Sequence, residues 1–145
     1  LKEEIILPAL LQETGKFILS DLIISEKKSE EFKNKIASGS TIEDAEKELL
    51  GVTTNQITAQ IFRHWKLSDN LINMIEHVDD ISNANLNFKQ KSQILDVIKT
   101  ACNIKNPLSE VNVAKAIKKA TAYGFDVKIF IKAIETLQDR LLEEK

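Results

Sequence analysis

Apolar side chains recur at spacings of three, four and seven through most of the chain, and polar stretches interrupt them at short intervals. Such spacing stacks side chains on one face of a helix, whereas a half-buried strand would alternate with a period of two. From Lys2 to about Ser25, the residues Ile6, Leu10, Glu13, Phe17 and Ile24 share one face, and Ile5, Ala9, Leu11, Ile18 and Leu22 make the other faces apolar too. One long helix surrounded by protein is predicted there. A second helix runs from about Lys27 to Ala37 and stops at Gly39.

Six more helices follow. Ser40 and Glu43 have capping-box spacing for a third, which buries Ala45, Leu49 and Leu50 and stops at Gly51. Thr53 or Thr54 caps a fourth, extending to about Lys66, with Ile57, Ile61 and Trp65 on its inner stripe. Ser68 opens a short fifth, which ends in the polar loop Val78–Asn85. Phe88 to Ile104 form a sixth, broadly apolar helix that Asn106-Pro107 breaks. Ser109 caps the seventh, Gly124 stops it, and Asp126 caps the last, with Ile129, Phe130, Ala133, Ile134, Leu137 and Leu141 facing inward. The expected fold is all-α, a compact multi-helix bundle of about eight helices in a single domain over residues 1–145.

Composition agrees with this. The chain has 145 residues, 43% of them hydrophobic, with only four Gly and two Pro. Twenty basic and 22 acidic residues leave a net charge of −2, which gives no reason to expect nucleic acid or an anionic membrane as partner. No apolar run approaches the roughly 20 residues of a membrane span, and no signal-peptide pattern opens the chain. Cys102 is the sole cysteine, so an internal disulfide is excluded. A cytoplasmic location is expected. The absence of an initiator Met suggests a part of a longer polypeptide.

The chemistry-bearing residues have mostly plain readings. Glu13 lies on the apolar stripe and calls for a Lys partner or a place at the domain edge, because a buried charge needs compensation. Gly15 suits a close approach of another helix, and Lys16 a solvated helix face. His77, Asp79 and Asp80 form the one ligand-like cluster, but they also read as a helix end running into a polar turn. Trp65 is expected in the core, His64 at the surface, and Cys102 as an inert buried thiol. Lys115, Lys118 and Lys119 read as a solvated face without the aromatic neighbours that stack on nucleic acid.

Two stretches carry a resemblance. Leu10-Leu11-Gln12-Glu13-Thr14-Gly15-Lys16 resembles the Leu-Leu-His-Asp-Ile-Gly-Lys signature of HD-superfamily phosphohydrolases. Glu48-Leu49-Leu50-Gly51-Val52-Thr53-Thr54, followed by Ala59, Ile61, Trp65-Lys66-Leu67-Ser68, Leu71 and Ile75, is similar to the Glu, Leu-Gly-Val, Trp-x-Leu-Pro and Ile pattern of the HD-related output domain, HDOD. Ser68 stands where that pattern has Pro. The resemblance implies an HD-like helical fold and a noncatalytic bacterial signalling module that acts through protein–protein contacts. It also implies more helices before Leu10, making this segment the C-terminal part of a longer unit. Without them, the first helix is expected to self-associate.

In an HD hydrolase, His and Asp hold metal ions that activate water and clamp a phosphate ester. Relative to that pattern, Gln12-Glu13 replaces the His-Asp pair, Thr54 stands at a second His, and Val78-Asp79 stands at a later His-His pair. Amide and hydroxyl groups are poor transition-metal ligands beside imidazole. The resemblance therefore implies a degenerate metal site at Gln12, Glu13, Thr54, Val78 and Asp79, with no catalytic residues, no metal and no cofactor. Two alternatives remain at the level of sequence. One is a divergent metal-dependent phosphohydrolase using Glu13, His77 and the Asp79-Asp80 turn; the other is a regulatory domain binding a small nucleotide in the vestigial cavity.

Overall fold

A computed structural model of the protein describes residues 2–145, apart from the Lys2 side chain. The described residues are all-helical, as predicted: nine α-helices and one short 3₁₀ turn, with no strand. They divide into two compact units, Leu1–Ser92 and Gln93–Lys145.

The first unit contains α1 (Lys2–Leu11), α2 (Lys16–Ser25), α3 (Ser29–Ala37), α4 (Ile42–Leu50), α5 (Thr54–His64), α6 (Asp69–Glu76) and the 3₁₀ turn Ile81–Asn83. The expected single helix over residues 2–25 is two helices. After Leu11 the chain tightens into a turn in which Thr14 N–H donates to Leu11 O and Lys16 N–H to Glu13 O, both at 3.0 Å. The Thr14 hydroxyl also donates to Leu11 O at 2.6 Å, the kind of local side-chain bond that competes with a continuing helix. The break re-aims both halves. Ile5, Pro8, Gln12 and Leu19 are buried, while Ile6, Leu10, Phe17 and Ile24 of the expected inner stripe face solvent.

Helix starts follow local chemistry. Thr53 accepts from Gln56 N–H while the Gln56 side chain returns to Thr53 N–H, a full capping box. Ser68 caps α6 through Leu71 N–H. For α4 the cap is Thr41, accepting from Asp44 N–H at 3.1 Å, one residue later than the Ser40 expected. Gly51 ends α4 in the left-handed region, at φ +76°.

Helices α5 and α6 make the broadest contact of this unit, and α2 also packs on α5. The inner face of α5 is Asn55, Thr58, Ala59 and Phe62, rotated from the predicted Ile57–Ile61–Trp65 stripe. Phe62 is buried, and Trp65 caps the C-terminus of α5 with 59% of its surface exposed, its ring stacked on Phe62.

Helix α7 (Lys89–Ala101) leads into the second unit, which also contains α8 (Glu110–Ala122) and α9 (Val127–Glu143). Val97, Ala101, Ala116, Ala120 and Ile134 form its core, with Phe125 and Phe130 packed against it. Asp96 on α7 accepts Lys119 Nζ at 2.7 Å and the Tyr123 hydroxyl at 2.6 Å. Lys119 is therefore ion-paired, on a face that stays open to solvent as expected, with 43% of its side chain exposed. Cys102 is exposed, contrary to its predicted burial.

Candidate functional site

The turn between α1 and α2 is pressed against the N-terminal end of α5. Gly15 N–H donates to the Thr58 hydroxyl at 2.8 Å, and that hydroxyl lies 2.8 Å from Thr54 O and 3.1 Å from Gln12 O. Gly15 has ordinary right-handed backbone angles, so its smallness serves space. A Cβ there would stand 2.5 Å from Thr54 O and 2.9 Å from Thr58 N.

This docking brings four polar side chains together. Lys16, the first residue of α2, directs its Nζ to Glu13 Oε2 at 3.0 Å, Thr54 Oγ1 at 3.1 Å and Glu46 Oε1 at 3.4 Å. The Thr54 hydroxyl donates to Glu46 Oε1 at 2.6 Å, and Thr54 N–H donates to Glu46 Oε2 at 2.8 Å. Glu46 thus caps the start of α5 from α4, where the helix dipole favours negative charge. Its side chain is 3% exposed and that of Lys16 17%. Lys16 is not the solvated lysine expected from sequence.

Of the residues singled out as a degenerate metal site, Glu13 and Thr54 meet at Lys16. Gln12, in the same turn as Glu13, is buried, and its Oε1 has no hydrogen-bond partner among the described residues. Val78 is a buried apolar residue just beyond α6, the helix packed on α5. Asp79 beside it is partly buried. The Asp80 carboxylate is taken up by Ser82 Oγ at 2.8 Å and Asn83 Nδ2 at 2.6 Å, hydrogen bonds that hold its pKa below the ordinary value. His77 caps the C-terminus of α6, and its Nε2 lies 3.9 Å from Oε2 of the neighbouring Glu76.

Sequence reasoning missed Glu46. It weighted Glu48, which is mostly exposed and pairs with Lys35. The available signal was the position of Glu46 in α4: it shares a face with Ala45 and Leu49, both buried.

The arrangement is poor for the metal that His-Asp hydrolases hold. The donors are an amide, a hydroxyl and carboxylates, without imidazole, and an ammonium sits where the two carboxylates converge. Among the described residues, no three His, Cys, Asp or Glu side chains gather closely enough to hold a metal ion. The residues present do not fit that group.

The sequence matches the HDOD domain over residues 1–81, more than half of the chain. The chain belongs to the HDOD family. Every residue of the Lys16 cluster lies within the matched stretch, so the cluster is a feature of the HDOD part. A crystal structure of a virulence factor from Campylobacter jejuni subsp. jejuni is similar to this HDOD chain, with a TM-score of 0.60 and 25% identity. The similarity covers 83% of this chain and 47% of that one, so the chain spans about half the length of that relative. No curated protein matches the sequence. Among the described residues, no helix is long and apolar enough to cross a membrane.

Proposed function

We propose that this HDOD domain is a noncatalytic bacterial signalling module, cytoplasmic, that works by binding protein. One observation carries the reading: the positions that stand at His in the hydrolase pattern hold Gln12, Thr54 and Val78, of which Thr54 is engaged by Glu46 and Val78 is buried and apolar, where a hydrolase of the related kind would need imidazole ligands for a water-activating metal. The side chains at the His-like positions, Gln12, Thr54 and Val78, offer it weak ligands or none. Removing the water-activating group leaves no nucleophile for a phosphate ester.

Family membership supports an HD-related role, and the exposed apolar side chains on α1 and α2 support a role in contact with protein. The experiment is elemental analysis and turnover on the purified chain. We expect no stoichiometric Mn, Fe, Zn or Mg, and no hydrolysis of phosphomonoesters or cyclic dinucleotides above a Glu46→Gln control. Turnover that survives repurification and disappears in Glu13→Gln would overturn the reading.

A further inference from the structure

We infer that the outer face of α9 is a docking site for an amphipathic helix of a partner protein, one whose apolar stripe is bordered by Asp or Glu. The inference rests on the protein-binding part of the reading above and names a surface and a partner chemistry for it.

Helix α9 is apolar on two sides. Phe130 and Ile134 turn toward the core of the second unit. Ile129, Ala133 and Leu137, which the sequence pattern set on that same inner face, are exposed. They follow one another at four residues and form a row along the outside of the helix. With Lys132, Thr136 and Arg140 they line an open groove of about 400 Å³.

The six lining residues have the spacing of a helix-packing surface. Where helices interlock, a side chain of one enters a hole bounded by four residues of the other. On a helix such neighbours stand at i, i+3, i+4 and i+7. Ile129, Lys132, Ala133 and Thr136 make one hole, and Ala133, Thr136, Leu137 and Arg140 make the next. Ala133 belongs to both, and its lone methyl group leaves both open. The two holes therefore receive two side chains one turn apart on an incoming helix.

Charge selects the occupant. Lys132 and Arg140 stand on one rim with Thr136 between them. Glu135 and Glu143 follow them by three residues, yet among the described residues neither cation is at ion-pair distance from a carboxylate. By contrast Lys33, Lys35, Arg63 and Lys91 are each paired. Two unneutralised cations eight residues apart, about 12 Å along the axis, match carboxylates two turns apart on a facing helix. A second copy of α9 is a poor occupant. Packed antiparallel, identical helices set like rims together, so the Lys132 rim of one would meet the Arg140 rim of the other, and like charges repel. Packed parallel, the basic rim would meet the other rim, which carries Leu137 and Leu141 and no carboxylate.

The test uses two helical peptides of about 20 residues, long enough to hold a helix in water. Both carry an apolar stripe of Leu, bordered by Glu in one and by Lys in the other. Binding is read by fluorescence anisotropy at low chain concentration. The Glu peptide should bind the unsubstituted chain about tenfold more tightly than the Lys peptide, and Lys132→Glu/Arg140→Glu should invert that order. Ala133→Leu adds apolar area but fills both holes, so it should weaken the Glu peptide by about tenfold. Tighter binding by Ala133→Leu would mean a plain apolar patch and overturn the inference. Equal binding of the two peptides by the unsubstituted chain would overturn it too, as would an order that survives the charge reversal. Oligomers of the chain that the Glu peptide dissociates would make a second copy the occupant, with the same result. All three substituted positions are exposed in the single chain, so the fold should stand. None of these measurements reads metal or turnover. An inference lost here leaves the noncatalytic reading in place, and hydrolysis by the unsubstituted chain would end that reading alone.

Discussion

The Tyr123 hydroxyl donates to Asp96 Oδ2 at 2.6 Å, tying the end of α8 to α7. Burial first, and then this hydrogen bond and the Asp96 charge, push the Tyr123 pKa well above its ordinary 10.0. A raised pKa means that the folded chain keeps a proton that the unfolded chain releases. The contribution to stability is therefore full below pH 10.0 and is lost as pH climbs from there toward the folded value. Tyr123 is the only tyrosine, so its phenolate absorbance is an unambiguous reporter. In the native chain it should titrate later than in urea, and Tyr123→Phe should remove this part of the alkaline loss of stability. Coincident titrations would refute the assignment.

Phe62 and Trp65 exchange the roles their spacing suggests. Phe62 is buried and Trp65 is mostly exposed. Phe62→Ala should cost about 3–5 kcal/mol, as large aromatic truncations in a core do. Trp65→Ala should cost under about 1 kcal/mol, within the range of surface changes plus a lost ring contact. Chemical denaturation of the two variants separates them. Similar losses would mean that Trp65 is packed after all.

That exchange shows what was legible in the sequence. Element type and most boundaries followed from periodicity, Gly stops and Ser/Thr caps, because those signals are local. The facing of α5 did not, because its inner face carries Thr54, Asn55 and Thr58, polar residues whose burial depends on partners far away in sequence. Thr54 is satisfied by Glu46 and Lys16, and Thr58 by the Gly15 N–H. A hydrophobicity pattern counts such residues as outward and rotates the helix. The same blindness placed Lys16 in solvent and passed over Glu46. The first helix was misread because Thr14 and Gly15 are weak breakers on paper, and the tight docking on α5 makes the turn.

Gly15→Ala tests that docking. The added Cβ would meet the backbone oxygen of Thr54 at 2.5 Å, and backbone cannot step aside as the tip of a side chain can. Overpacking of this kind costs about 1–3 kcal/mol. Gly51→Ala is the control: its Cβ meets nothing within 4 Å, and only the φ of +76° is strained, at about 1–2 kcal/mol. The distinction lies in rescue. Removing the Thr58 hydroxyl, which the added Cβ would meet at 2.8 Å, should recover little: Gly15→Ala should cost nearly as much in a Thr58→Ala background, because the backbone clash at Thr54 remains, and a cost that vanishes there would place the obstruction at the Thr58 side chain instead.

The last prediction concerns the apolar surface of α1 and α2. Leu10 is 74% exposed and Phe17 80%, with Ile6, Leu7, Ile18 and Ile24 also open to solvent. Scattered exposed apolar residues are ordinary, but seven large ones within 19 residues, Leu22 included, are not, and exposed apolar patches mark association surfaces. Charge gives little protection here: from Ile5 to Ser25 the ionisable residues are Glu13, Lys16 and Asp21, and the first two pair with each other. The 145-residue chain by itself should therefore self-associate as its concentration rises. Leu10→Ser/Phe17→Ser should weaken that association by about tenfold or more, since burying each such side chain contributes about 1.5–3 kcal/mol. Both positions are exposed in the single chain, so the double change should leave the denaturation midpoint nearly unmoved. Sedimentation velocity over a concentration series reads the first effect, and chemical denaturation at low concentration reads the second. A chain that stays monomeric throughout, and binds no hydrophobic dye, would show that this surface is stable in water as it stands.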